Sequence, residues 1–232
     1  MIPFSDTNPT ARTPIVNRLL LFANVAVWIY MLSLSRRPAA LEAFFETYAF
    51  DWSRFTEALS SGAWSIAIFV PLITHMFLHG GWLHIIGNML YLWVFGDNVE
   101  DRLGSATYIV FYLLSGIIAA IGQGLLSPAP MVGASGAIAG VLGAYLIMFP
   151  TARIRTLIFL GIFITVVQLP AIVVIGFFIV IQLIEGLAEL RMTGHPAAES
   201  IAYFAHIFGF VAGMVLLFVL GARQRPRRAH YG

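Results

Sequence analysis

The feature that most constrains this chain is where its charges are missing. None falls in 103–152, 156–184 or 200–222, and none lies between Glu57 and Asp97. A helix rises about 1.5 Å per residue and the hydrocarbon core of a bilayer is about 30 Å thick, so each gap can hold at least one crossing of roughly 20 residues. With 59% hydrophobic and only 10% charged residues, a soluble single domain is excluded. Every one of the 13 basic residues is Arg and the formal net charge is +2. These Arg residues cluster between apolar runs rather than along one face, which argues against nucleic acid as a partner. The absence of Cys excludes disulfides and thiolate metal sites.

Apolar length predicts six spans, at 15–35, 81–96, 105–126, 134–149, 156–184 and 200–222. The first is not a removable signal peptide, because it contains Asn17 and Asn24 and ends in Ser35-Arg36-Arg37 rather than a small-residue cleavage site. The second and fourth are short, which suits central helices surrounded by others. Pro170 within the fifth predicts a kink. Arg12, Arg18, Arg102, Arg153, Arg155, Arg223, Arg225, Arg227 and Arg228 fall on one side, against Arg36, Arg37, Arg54 and Arg191 on the other. That imbalance places both termini in the cytoplasm. The expected fold class is therefore all-α, a polytopic six-helix membrane bundle. Segment 1–14 is a short cytoplasmic lead, and 223–232 is a basic tail suited to anionic lipid. The external loop 37–64 carries Phe44, Phe45, Phe50, Trp52 and Trp64, an aromatic content suited to the headgroup zone.

Three clusters place polar residues where they are expensive. The first runs from Thr74 to Asn88 and contains His75, His79, His84 and Asn88. His84 and Asn88 are four apart and share a helix face. They can serve as interhelical glue or as part of a site. His75 and His79 have the spacing of a two-His helical metal site, but no Cys and no carboxylate within the spans completes it. The second cluster is Gly133-Ala134-Ser135-Gly136, continued by Gly140 and Gly143. Gly136, Gly140 and Gly143 form a smooth stripe for close helix contact, and Ser135 at its start reads either as packing or as a nucleophile. Ser135 follows the turn Ser127-Pro128-Ala129-Pro130, so it falls at a helix N-terminus, where free N–H groups can hold an oxyanion.

The third cluster is Ala205-His206-Ile207-Phe208-Gly209, with Gly213 one turn on. It makes a second small-residue stripe, and packing the two stripes together would bring Ser135 and His206 within reach of one another. A neutral imidazole can accept the hydroxyl proton that a serine nucleophile must lose. No Asp or Glu lies in 103–184, so the pair would be a dyad, with His206 oriented by packing or by a neutral hydrogen bond.

Taken in order, His84-xxx-Asn88, Phe95-Gly96-Asp97-Asn98-Val99-Glu100-Asp101-Arg102, Gly133-Ala134-Ser135-Gly136 and Ala205-His206-xx-Gly209 strongly resemble the rhomboid family of intramembrane serine proteases, over roughly 70–222. The resemblance implies a single rhomboid membrane domain over 1–232, with Ser135 as nucleophile and His206 as general base. It also implies that His84, Asn88 and the Ser135 backbone N–H donate to the oxyanion, and that 37–64 is the family's membrane-embedded loop. No cofactor or metal is implied. The expected partners are transmembrane protein substrates and the lipid bilayer, in a bacterial or archaeal plasma membrane with the site open to the outside. Two departures stand out. Many members carry a Trp-Arg pair in the loop, whereas Trp64 is followed here by Ser65, and some place a Tyr one turn after the Ser, where this chain has Ala139.

Two other classes compete with a protease. A catalytically silent relative that guides membrane proteins through quality control or trafficking would be expected to lack one of Ser135, His206, His84 and Asn88, all of which are present. A small transporter built on the His run would call for an intramembrane carboxylate or an inverted repeat, and the sequence has neither.

Overall fold

The structure is a computed structural model and describes residues 1–160, 163–191 and 202–221. Strand β1 (Ile2–Asp6) leads into the long helix α1 (Ile15–Leu34), followed by α2 (Pro38–Tyr48), α3 (Trp52–Ser60) and the short α4 (Pro71–Thr74). The bundle continues with α5 (Trp82–Leu103), α6 (Ser105–Leu126) and α7 (Ser135–Met148). Strands β2 (Arg153–Leu160) and β3 (Phe163–Pro170) precede α8 (Ala171–Arg191) and α9 (Tyr203–Val219). Helices α1 and α6 and the stretch Ala171–Glu189 of α8 are each long and apolar enough to cross a membrane. The bent pair Ile66–Phe77 with Trp82–Leu103 qualifies as a broken span or re-entrant loop, and α7 and α9 are shorter apolar helices.

At the centre stands α7. Every residue from Gly136 to Tyr145 is buried, because α9, α6 and α5 all pack on it. Its 14 residues rise only about 21 Å. Surrounding helices shield it from lipid, as a short span requires. The exposed side chains of the outer helices are apolar, including Leu19, Phe22 and Ile29 of α1 and Phe177, Ile184 and Leu187 of α8. That is the pattern a lipid-facing surface dictates.

Three expectations are corrected. The molecule is mostly helical but not all-α, since β1, β2 and β3 form an antiparallel sheet in that order. The apolar run 156–184 is not one kinked span. Thr156 to Leu160 belong to β2 and Phe163–Pro170 to β3, and the helix starts only at Ala171. Ile154, Thr156, Ile158, Ile164, Thr165, Val166 and Val167 are β-branched and favour a pleated strand over a helix, while Pro170 has no N–H for a helix interior and ends the strand instead. The second span is not short either, because α5 continues through Asp97, Glu100 and Asp101 to Leu103 over 22 residues. The basic tail 223–232 lies outside the described residues.

The charged end of α5 knits this end of the molecule. Glu100, 2% exposed, accepts from the backbone N–H groups of Val16 (3.1 Å) and Asn17 (2.7 Å) and from Ser105 Oγ (2.5 Å). One carboxylate thus caps the first turn of α1 and ties in the start of α6, where helix dipoles favour negative charge. Asn17 donates to the Leu92 carbonyl (3.1 Å) and accepts from Tyr108 (2.9 Å). Gly96 leaves room for that pair, since a Cβ there would collide with Asn17 and Tyr108. Asp6, carried in by β1, accepts from Tyr145 Oη (2.6 Å) and Asn98 Nδ2 (3.0 Å).

The loop 37–64 folds as α2 and α3 and is fastened without a Trp-Arg pair. Phe50 exchanges backbone hydrogen bonds with Met131 (3.1 and 2.9 Å), four residues before Ser135. The Trp52 ring lies against Gly124 of α6, 2.5 Å from where a Cβ would stand. Trp64 itself is 71% exposed.

Candidate active site

Ser135 is the first residue of α7, so its own N–H is among those the helix leaves unpaired. The approach to it is shaped by Gly133, whose φ is +120°, a left-handed conformation that side chains resist. The Gly133 N–H is held by the His75 carbonyl at 2.8 Å. A Cβ at Gly133 would fall 2.5 Å from His84 Nε2 and 3.7 Å from Ser135 Oγ. His84 and the serine hydroxyl therefore flank the same glycine.

The tautomer of His84 follows from its other nitrogen. Nδ1 accepts from the Gly80 backbone N–H at 3.3 Å, so in a neutral ring the proton resides on Nε2, the atom beside Gly133. One turn along α5, Asn88 donates through Nδ2 to the His84 carbonyl at 3.0 Å. An amide carries two N–H groups, and among the described residues this bond uses one of them.

Helices α7 and α9 approach through their glycines. A Cβ at Gly209 would strike the Gly136 carbonyl, one at Gly213 the Gly140 carbonyl, and one at Gly143 the Phe210 carbonyl. Gly140 has Ser115 Oγ at 2.5 Å and the Gly209 carbonyl at 3.1 Å from its Cβ position, and Gly136 has the Ala205 Cβ at 3.8 Å. Without side chains at these points the two backbones touch. Ser135 and His206 consequently stand at adjoining levels of one seam. The His206 side-chain bond runs from Nδ1 to Gln182 Oε1 of α8 at 2.6 Å, and none joins it to Ser135 among the described residues.

His75 and His79 do not share a helix face. Their helix ends at Phe77, and Leu78 is extended, so the four-residue spacing no longer means a shared helix face. His75 donates through Nδ1 to the Pro71 carbonyl (2.8 Å) and packs near Phe50. His79 lies with its ring centroid 5.0 Å from that of His84. Among the described residues no group of three potential ligands could hold a metal ion.

Three residues that motif reading passes over touch the site. Gln182 and Phe178 of α8 contact the His206 ring, and Gln123 Oε1 of α6 accepts from the Ala205 N–H at 3.0 Å. The signal for the two Gln residues was present, since each is a lone amide in an apolar helix, where unpaired polar groups are costly.

An apolar helical bundle holding this polar centre is an integral membrane protein. The rhomboid domain model matches residues 67–223, and the chain belongs to the rhomboid family. It is 45% identical over 75 residues to the rhomboid protease GluP of Bacillus subtilis (strain 168), covering 32% of this chain and 15% of GluP. It is 29% identical over 146 residues to the rhomboid protease GlpG of Yersinia pestis (strain Pestoides F), covering 63% of this chain and 46% of GlpG. The chain thus matches less than half the length of either relative.

Proposed function

We propose that the protein is an intramembrane serine endopeptidase that hydrolyses peptide bonds in or near transmembrane segments of other proteins. Ser135 Oγ attacks the scissile carbonyl as His206 takes its proton, and the same imidazole later protonates the leaving amine. His84 Nε2–H, Asn88 Nδ2–H and the Ser135 backbone N–H stabilise the oxyanion. The observation that supports the reading is that a helix-start serine and a histidine with its donor nitrogen flank the same glycine, while a second histidine lies on the helix that packs on the serine's helix through glycines.

In this reading α1, α5, α6, α7, α8 and α9 span the bilayer with both termini cytoplasmic, and the site opens outward in a bacterial or archaeal plasma membrane. Water enters from that side, since lipid supplies none. A helical substrate hides its carbonyls in hydrogen bonds, so the favoured substrates unwind easily and carry small residues beside the scissile bond.

The test is covalent labelling of the purified protein by a serine-directed fluorophosphonate, together with cleavage of a model transmembrane substrate. Wild type should label and cleave. Ser135→Ala and His206→Ala should each abolish cleavage while remaining folded in detergent, and the double variant should be little worse than either single one. Substantial cleavage by either variant removes the dyad.

A further inference from the structure

Helix α8 holds the His206 ring at two points. Gln182 Oε1 faces Nδ1 at 2.6 Å, and the Phe178 ring stands with its centroid 5.9 Å from that of the imidazole at 43°. Phe178 and Gln182 are four residues apart, so one face of α8 presents both. Gln182 is 8% exposed and His206 7%, which leaves little water to compete for the bond. With Ala139 one turn after Ser135, the aromatic contact to His206 comes from α8 instead.

The chemistry of the contact fixes a proton. An amide oxygen only accepts, so a bond of this length requires hydrogen on Nδ1. In a neutral ring the lone pair is then on Nε2, the form that can act as a base.

We propose that Gln182 is a positioning residue for the reaction: by accepting from Nδ1–H it holds His206 in the tautomer whose Nε2 takes the Ser135 proton, while Phe178 fixes the ring plane. This rests on the Ser135–His206 dyad proposed above. As the serine attacks, the Oγ–H bond breaks and Nε2–H forms. The new Oγ–C bond takes the hydroxyl electron pair, and the carbonyl π pair moves onto oxygen. The resulting imidazolium keeps its Nδ1 proton on the Gln182 oxygen, whose dipole favours the positive ring without burying a second charge. The nearest titratable group on α5 is His84, which with Ser135 flanks Gly133. Of the other ionisable side chains on helices packed against α9, Tyr108 and Tyr145 bond to Asn17 and Asp6 at the far end of the bundle, Tyr112 lies on α6, and Glu185, Glu189 and Arg191 follow Gln182 along α8, with Glu189 accepting from Ser127 Oγ at 2.9 Å.

The test compares wild type, Gln182→Leu, Gln182→Glu and, as control, Gln168→Leu on exposed β3. The readouts are kcat, KM, fluorophosphonate labelling rate and thermal stability across pH. Gln182→Leu should lower kcat by about 10–10³-fold with KM little changed, a smaller loss than the roughly 10⁴-fold of a locked wrong tautomer, because the ring can still sample both forms. Gln182→Glu keeps an acceptor and adds charge, so it should retain activity and move the acid limb of kcat/KM to higher pH by about 1–3 pH units. Wild-type kcat in Gln182→Leu, or an unmoved acid limb in Gln182→Glu, overturns the assignment, and the second result decides if the Leu variant fails to fold. If wild type labels and cleaves but Gln182→Leu does so at the same rate, only the role of Gln182 falls. If wild type does neither, the dyad falls with it.

Discussion

His84 has a donor to offer near Ser135 because Gly80 already occupies its other nitrogen. Asn88 likewise spends on the His84 carbonyl one of the two N–H groups its amide carries. A donor that acts only on developing negative charge lowers the barrier without tightening ground-state binding. Asn88→Ala should therefore reduce kcat by about 10²–10³-fold and change KM little. Initial-rate kinetics on a model transmembrane substrate checks this, and a dominant rise in KM would assign Asn88 to substrate binding. At this scale the polar members were legible. Ser135, His84, Asn88 and His206 are residue types with familiar chemistry in apolar surroundings. Gln182 and Gln123 stood in equally apolar runs, but an amide announces no reaction, and only the fold shows that one faces a histidine and the other a helix start.

The elements that bring the site together are the glycine stripes of α7 and α9. Periodicity made both stripes legible, because small residues at helical spacing leave a groove. Gly209→Val would push a side chain into the Gly136 carbonyl, and Gly140→Val into Ser115 and the Gly209 carbonyl. Backbone cannot yield as a flexible side chain can. Overpacking of this kind costs about 1–3 kcal/mol, and a shift of about 1 Å between reacting groups costs roughly 10²-fold in rate. Both variants should lose thermal stability and activity together, unlike Ser135→Ala, which should lose activity alone. Gly176 of α8 serves as control, because nothing lies within 4 Å of its Cβ position. Gly176→Ala should leave activity intact and raise stability by about 0.5–1 kcal/mol through helix propensity. Full activity in the Gly209 and Gly140 variants would separate the seam from catalysis. Hydropathy alone misread 156–170, because a long uncharged run looks the same whether it crosses lipid or pairs as strands. The discriminating signals were β-branched density, the lone Gly161 between two such runs, and Pro170.

Across the whole molecule, the proposed nucleophile and the fastening to the N-terminal strand occupy opposite ends of α7. Ser135 opens the helix, whereas Tyr145, ten residues on and about 15 Å away, bonds to Asp6 of the N-terminal strand. Nothing in residues 1–6 marks them as a strand that reaches the bundle, since their partner strand is about 150 residues away in sequence and such pairing is a tertiary fact. Burial raises the Asp6 carboxyl above its ordinary value, and the hydrogen bond from Tyr145 only partly offsets this. The sign of the consequence is fixed by linkage. A carboxyl whose folded-state pKa is raised contributes most to stability below its unfolded value near 3.8, and that contribution is lost as pH rises through the folded value. Asp6→Asn, which keeps an acceptor for Tyr145 without the charge, should therefore flatten the fall in stability over this rise in pH relative to wild type. Thermal unfolding in detergent from about pH 4 to pH 7, read as the difference between the two proteins, reports Asp6 together with its effect on Asp97, which shares the Asn98 amide with it. Because this contact lies a helix length from Ser135, kcat at neutral pH should match wild type in Asp6→Asn. A lost kcat with unchanged stability would mean that the sheet end and the serine end move as one, and the separation of fastening from catalysis would have to be abandoned.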